Sequence, residues 1–193
     1  MVFRGLTASL SGGECVAVVG PNGSGKSTLL RVGAALLRPT RGSVSLYSLA
    51  GSRVAAEQHS RSVGYLAPYV QFYRALSARE NLELLRALRG ERRSGVVEQV
   101  LSVVQLVDRC DDLVGNYSSG MLQRLRLAAA VIHDPPVLLL DEPYANLDEP
   151  GGVVVSAVVK DRIERGLSVL MATNRDDVAR RCDRKIAVAE YAG

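Results

Sequence analysis

Short apolar, β-branched runs alternate along the chain with longer segments whose apolar residues recur every three or four positions. Glu14-Cys15-Val16-Ala17-Val18-Val19 is the first run, and residues 137–140, 168–173 and 185–189 repeat its character. Such runs read as strands buried on both faces. Between them, residues 26–37 follow a glycine-rich turn, and 78–89 open with Ser77 and Glu80 at the spacing of a capping box. Residues 95–107 carry Val97, Val100, Leu101 and Val104 as one stripe; 120–132 carry Met121, Leu122, Leu125, Ala128 and Ala129 in the same way. Strands alternating with helices predict an α/β domain around a mostly parallel sheet. From about 68 to 126 only helical patterns occur. That predicts one domain, 1–193, with a helical subdomain (68–126) inserted between two parts of the core, 1–67 and 127–193.

Composition narrows the class. With 193 residues, 47% hydrophobic and 23% charged, the chain suits one globular domain and is too apolar for a disordered one. No apolar run reaches the roughly 18 residues of a membrane span. Met1-Val2-Phe3-Arg4-Gly5 does not open a secretory signal, so the chain reads as soluble and not exported. Of its 24 basic residues only Lys26, Lys160 and Lys185 are lysine. The arginines are scattered, which reads as a solvated surface rather than a nucleic-acid face. Cys15, Cys110 and Cys182 lie far apart without metal-ligand spacing, and read as small buried residues of a reducing compartment.

Against that arginine-rich background, Lys26 stands in Gly20-Pro21-Asn22-Gly23-Ser24-Gly25-Lys26-Ser27, a GxxxxGK[ST] loop between a predicted strand and a predicted helix. Its glycines let the backbone curl so that several N–H groups face one anion, and the helix N-terminus adds partial positive charge. Lys26 would reach the β- and γ-phosphates of a bound nucleotide, Ser27 would ligate Mg2+, and Thr28 completes the nucleotide-binding stretch. Val137-Leu138-Leu139-Leu140-Asp141-Glu142-Pro143 is an apolar strand ending in two carboxylates. Asp141 can hold Mg2+ through water, and Glu142 can polarise a water for in-line attack on the γ-phosphate. Alone, that pair also fits an exposed strand end before a turn.

The order of these motifs resembles the nucleotide-binding domain of ATP-binding-cassette (ABC) proteins over nearly the whole chain. The resemblance implies a P-loop NTPase fold. Tyr117-Ser118-Ser119-Gly120-Met121, followed by Gln123-Arg124, resembles the family's signature segment, which binds the γ-phosphate held by the other subunit. It implies Ser118 and Gly120 as nucleotide contacts in trans, although Ser119 replaces one of two usual glycines and Met121 stands where Gln is common. Ala145-Asn146-Leu147-Asp148 resembles the D-loop, which meets the opposite subunit and brings Asp148 to the nucleotide.

Three departures modify what the resemblance implies. The family's adenine-stacking aromatic lies well before the first loop glycine, beyond the start of this chain. The first strand and that aromatic are therefore expected to be missing, and Phe3 is too close to serve without rearrangement. Val63-Gly64-Tyr65-Leu66-Ala67-Pro68 resembles the approach to the Q-loop, whose Gln would fall near Pro68; Gln71 reads as solvent-facing, while Tyr69 to Leu76 would still form a docking cleft. After the run 168–173 the family places a His, where this chain has Thr173-Asn174-Arg175. Asn174 is then expected to face the γ-phosphate as a neutral donor. His133 and His59 read as structural or exposed.

As a whole the resemblance implies an ATP-binding and ATP-hydrolysing subunit with ATP and Mg2+ as cofactors. It would form a homodimer of cassettes and power transport through a separate membrane-spanning subunit, from the cytoplasmic face of the cell membrane. No nucleic-acid partner is expected. The short cassette, Tyr65-Leu66 and the Glu80-Asn81-Leu82 helix start are similar to the haem-exporter ATPase of bacterial cytochrome c maturation. Two other classes stay open: a soluble ABC ATPase, and a regulatory cassette with little turnover. The missing Gln and Asn174 favour the latter, whereas Lys26, Asp141 and Glu142 oppose it. Turnover is expected to be slow.

Overall fold

The computed structural model describes residues 2–48 and 50–191. β1 (Cys15–Val19), β2 (Val63–Leu66), β3 (Val137–Asp141), β4 (Ser168–Ala172) and β5 (Arg184–Ala187) form one parallel sheet in the order β2-β3-β4-β1-β5. Packed around it are α1 (Lys26–Gly33), α2 (His59–Ser62), α3 (Ala78–Arg89), α4 (Val96–Val103), α5 (Ser119–Val131), α6 (Glu149–Glu164) and α7 (Asp176–Ala179).

Alternation along the strands sorts their side chains into two cores. Leu138, Leu140, Val169 and Met171 join the larger one with residues of α3 to α6, among them Leu82, Leu101, Leu125 and Val155. Leu139, Ala172 and Val18 join the smaller one with Leu30 and Ala34 beyond the opposite face. A strand covered on both faces must be apolar at every position, which is why β3 reads Val-Leu-Leu-Leu. Burying one such leucine contributes about 2 kcal/mol.

Between β2 and β3 the described chain forms α3, α4, α5 and short turns. The capping box at α3 is made in full: Ser77 Oγ accepts from the Glu80 N–H at 3.1 Å, and the Glu80 carboxylate accepts from the Ser77 N–H at 2.7 Å. α5 runs unbroken across position 126 and returns the chain to the sheet. It seats so tightly on β2 that a Cβ at Gly64 would lie 2.1 Å from the Ala130 carbonyl oxygen. Only glycine fits there.

Several elements differ from the sequence pattern. The helix predicted over 26–37 ends at Gly33, because Ala35 turns the chain with φ 57°. The one predicted over 95–107 ends at Val103, before Gln105 at φ 55°. β2 and α6 were not anticipated as elements. Pro150-Gly151-Gly152 opposes a helix by propensity, yet Pro150 falls in the first turn of α6, where no intrahelical N–H is needed. His59, read as structural or exposed, lies at the start of α2 and is half-buried.

Candidate functional site

The carboxyl ends of three adjacent strands, β3, β4 and β1, bring the motifs to one edge of the sheet. β1 feeds the loop from Gly20, β3 ends in Asp141, and β4 ends just before Thr173 and Asn174. Backbone bonds pin these ends together: the Thr173 N–H donates to the Val18 carbonyl at 3.1 Å, and the Glu142 N–H to the Ala172 carbonyl at 3.0 Å. Ligands of open parallel sheets bind outside this edge.

The loop is shaped for an anion. Gly20 and Gly25 have φ of 153° and 102°, where a side chain would be strained. A Cβ on Gly20 would also stand 2.6 Å from Ser24 Oγ. Gly25 precedes Lys26, the first residue of α1. Lys26 is buried, and its Nζ donates to the carbonyls of Gly20 at 2.8 Å and Pro21 at 3.2 Å. Ser24 Oγ is buried without a hydrogen-bond partner. An orphaned hydroxyl and an ammonium resting on loop carbonyls both gain partners when phosphate oxygens enter, so this loop fits a nucleotide triphosphate. Ser27 and Thr28 are half-buried on the first turn of α1; Pro21, Asn22 and Gly23 are exposed.

Beside the loop lie the two carboxylates. Asp141 is 2% exposed, with the Tyr65 hydroxyl donating to its Oδ2 at 3.4 Å. Glu142 is half-buried at φ 47°, a left-handed backbone that costs a non-glycine residue about 1–3 kcal/mol. Gln123 of α5 holds that turn. Only 3% exposed, it donates from Nε2 to the carbonyls of Glu142 at 3.1 Å and Pro143 at 3.2 Å. Burial pushes the Glu142 carboxyl above the usual carboxylate range; the Lys26 charge and the backbone N–H of Asn174 oppose this, and Asp141 adds to it. Asn174 thus meets Glu142 through its main chain, while its side chain is exposed.

The remaining predicted residues form a second cluster. Ser118 caps α5, its Oγ accepting from the Met121 N–H at 3.2 Å. A capping hydroxyl keeps its O–H to donate. A Cβ at Gly120 would lie 3.3 Å from the Asn146 carbonyl oxygen, so this turn touches the segment 145–148. Asp148 caps α6, accepting from the Gly151 N–H at 3.0 Å. Gln71 and Pro68 are exposed. Tyr69, half exposed, lies under the Arg31 guanidinium at 4.8 Å. His133 is half-buried, its pKa pulled down to about 4 by burial and by the charges of Arg89 and Arg162.

Tyr65 and Gln123 were not singled out as site residues in the sequence. For Gln123 the signal is weak, since its neighbours one turn away on the helix, Ser119, Gly120, Arg126 and Leu127, are of mixed polarity. Tyr65 offers none, since its partner Asp141 lies 76 residues on.

The family model described as "ABC transporter" matches residues 3–145. The cytochrome c biogenesis ATP-binding export protein CcmA of Xanthomonas axonopodis pv. citri is 36% identical over 90% of this chain and 79% of its own length. The Nod factor export ATP-binding protein I of Burkholderia lata is 32% identical over 98% of this chain and 64% of its own. The chain spans 58–64% of the length of several such relatives. Among solved structures, the ATP-binding cassette MJ0796, a dimer in a post-hydrolysis state bound to ADP and Pi, superposes with a TM-score of 0.83 at 25% identity. That match covers 97% of this chain and 87% of the other.

Proposed function

The chain belongs to the ABC transporter family of ATP-binding proteins, and we propose that it is the ATP-hydrolysing subunit of a transporter, working as a dimer of cassettes. The observation that carries this reading is the convergence of Lys26, Asp141, Glu142 and the Asn174 N–H at one sheet edge. The backbone from Gly20 to Gly25 and the N-terminus of α1, with Thr28, cradle the phosphates, and Lys26 exchanges its two loop carbonyls for phosphate oxygens. Ser27 and Asp141 would hold Mg2+, which neutralises charge on the β- and γ-phosphates. Mg2+ sites of this kind rest on one or two protein ligands completed by phosphates. Glu142, held by Gln123 and the Asn174 N–H, orients a water against the γ-phosphate. Its raised pKa brings it nearer the ideal for a general base at neutral pH. Ser118 and Gly120 serve the nucleotide of the second subunit, and Asp148 lies at the same contact.

In this reading residues 68–126 act as the helical subdomain, and the exposed Tyr69 and Tyr73 belong to the face that docks a membrane-spanning partner on the inner side of the membrane. Among the described residues no helix is long and apolar enough to cross a membrane; in this reading the translocation path belongs to that partner. The narrower assignment, haem export for cytochrome c biogenesis, draws its support from the likeness to CcmA. A second reading, a nucleotide-binding regulator with little turnover, is favoured by Pro68 at the Gln position and by the exposed Asn174 side chain.

The test is light scattering of Glu142→Gln with Mg-ATP. The proposal expects a mass near twice 20.7 kDa, returning to one copy when ATP is withdrawn. A persistent monomer at high protein concentration contradicts the dimer, and with it the roles of Ser118 and Gly120 in trans.

A further inference from the structure

The cysteines that read as unrelated in sequence are not. Cys15, at the start of β1, and Cys182, just before β5, bring their sulfurs to 2.8 Å across 167 positions of chain. The two backbones are already locked at this point. The Cys15 N–H donates to Asp183 Oδ2 at 2.8 Å, and the Asp183 N–H donates to the Cys15 carbonyl at 2.9 Å. Beyond them β1 and β5 pair in register from Val16 and Arg184. Among the described residues no His, Cys, Asp or Glu group completes a metal site here. Cys110 is different: its sulfur accepts from Arg79 Nη2 at 2.9 Å and has no thiol beside it.

We propose that Cys15 and Cys182 form a thiol-oxidation site, a dithiol that closes reversibly to a disulfide with peroxides or small disulfides as oxidant. The two partners are unequal. Cys182 is half-buried and accepts the Cys15 S–H, which lowers its pKa; Cys15 is 5% exposed, and that same bond together with burial raises its own. Cys182 is therefore the attacking thiolate. It forms an S–O bond as the O–O bond of the peroxide breaks, and the departing hydroxide takes a proton to become water. Cys15 then attacks the resulting sulfenic sulfur; the S–S bond forms, the S–O bond breaks, and hydroxide leaves with the Cys15 proton as a second water. The two thiols lose two electrons and one peroxide gains them; with a small disulfide, Cys182 breaks its S–S bond to form a mixed disulfide and expel one thiolate, which takes up a proton, and Cys15 then displaces the second as a thiol that carries the Cys15 proton. Because hydrogen bonds already hold both backbones side by side, the two sulfurs have only the gap from 2.8 Å to close. The bond ties β1 to the edge strand and closes nearly the whole chain into a loop, which constrains the unfolded state.

The experiment uses the full chain, reduced, then treated with hydrogen peroxide or oxidised glutathione, and alkylated after denaturation. Intact mass should show one alkyl group, on Cys110, and a peptide joining Cys15 to Cys182. Melting should rise by roughly 5–15 °C, given the loop length and the size of the domain, and dithiothreitol should reverse it. Cys110→Ser should preserve the response and Cys182→Ser should abolish it. Three alkyl groups after oxidation, a bond involving Cys110, or an oxidised Cys182 beside an alkylated Cys15 would overturn the proposal. The readout is mass, so its failure leaves the ATPase reading untouched.

Discussion

Replacing Gln123 by leucine keeps the volume of a buried side chain but removes the donor that holds the turn after β3. The parent amide bonds two carbonyls, and its Oε1 accepts from Arg126 Nη1 at 3.3 Å. The Glu142 carbonyl keeps a second partner, the Ala145 N–H at 3.0 Å. The Pro143 carbonyl is left with nothing the structure assigns to it. The lost bonds to the Glu142 carbonyl and from Arg126 cost about 1–2 kcal/mol together and the stranded carbonyl about 1–3 kcal/mol; less the gain from added apolar burial, the loss is about 2 kcal/mol. For a chain of this size that lowers the melting temperature by roughly 4–8 °C. The same bonds keep Glu142 at its left-handed φ, so its carboxyl should lose orientation as well. Steady-state phosphate release is then expected to slow by about tenfold with ATP affinity unchanged, because the phosphate loop is not touched. Calorimetry, phosphate release and equilibrium ATP titration on one preparation check all three. If Gln123→Leu melts and hydrolyses like the parent, the amide is not the brace described.

Other consequences follow from named contacts. Arg162, 3% exposed, is paired with Asp134 at 2.7 Å and also donates to the Pro135 carbonyl at 3.0 Å; Asp134→Ala leaves that buried charge without a carboxylate and should destabilise by about 3 kcal/mol in denaturant titration, whereas an unchanged midpoint would show the pair to be idle. Asn174→Ala keeps the main-chain N–H on Glu142, so phosphate release should fall less than about tenfold, while Asn174→Pro removes that N–H and should cost more; equal rates for the two would refute the main-chain bracing. His133 has a folded pKa of about 4 against an ordinary 6.5, so the unfolded chain binds the extra proton first. Its contribution is whole above about pH 6.5 and is lost as pH falls toward 4, by on the order of 1–2 kcal/mol after discounting for its partial exposure. His133→Leu should flatten that part of the stability profile, and an unaltered slope would place the acid response elsewhere.

Which parts were legible in the sequence follows from how each is built. A phosphate loop works through backbone N–H groups at fixed spacing, so Gly20, Gly25 and Lys26 announce it directly. β3 and its carboxylates were legible because a strand covered on both faces has no polar positions to spare. α6 was not, since Pro150, two glycines and a run of valines argue against a helix. The Asp148 cap and the burial of Val154, Val155 and Val158 override that propensity. The sequence assigns the Asn174 side chain to the γ-phosphate; the contact with Glu142 is a different one, made by the Asn174 backbone, which no residue type can reveal. The meeting of Cys15 and Cys182 depends on a parallel register between strands at opposite ends of the chain, information that local patterns do not hold.

The central claim, that Glu142 turns a bound nucleotide over, is tested most directly by mixing excess protein with Mg-ATP and following the nucleotide through a single turnover. The parent should convert bound ATP to ADP and phosphate. Glu142→Gln should bind ATP equally well and convert it at least about 10²-fold more slowly. Parent protein that binds ATP and leaves it intact, or a Glu142→Gln variant that hydrolyses at the parent rate, would contradict the account.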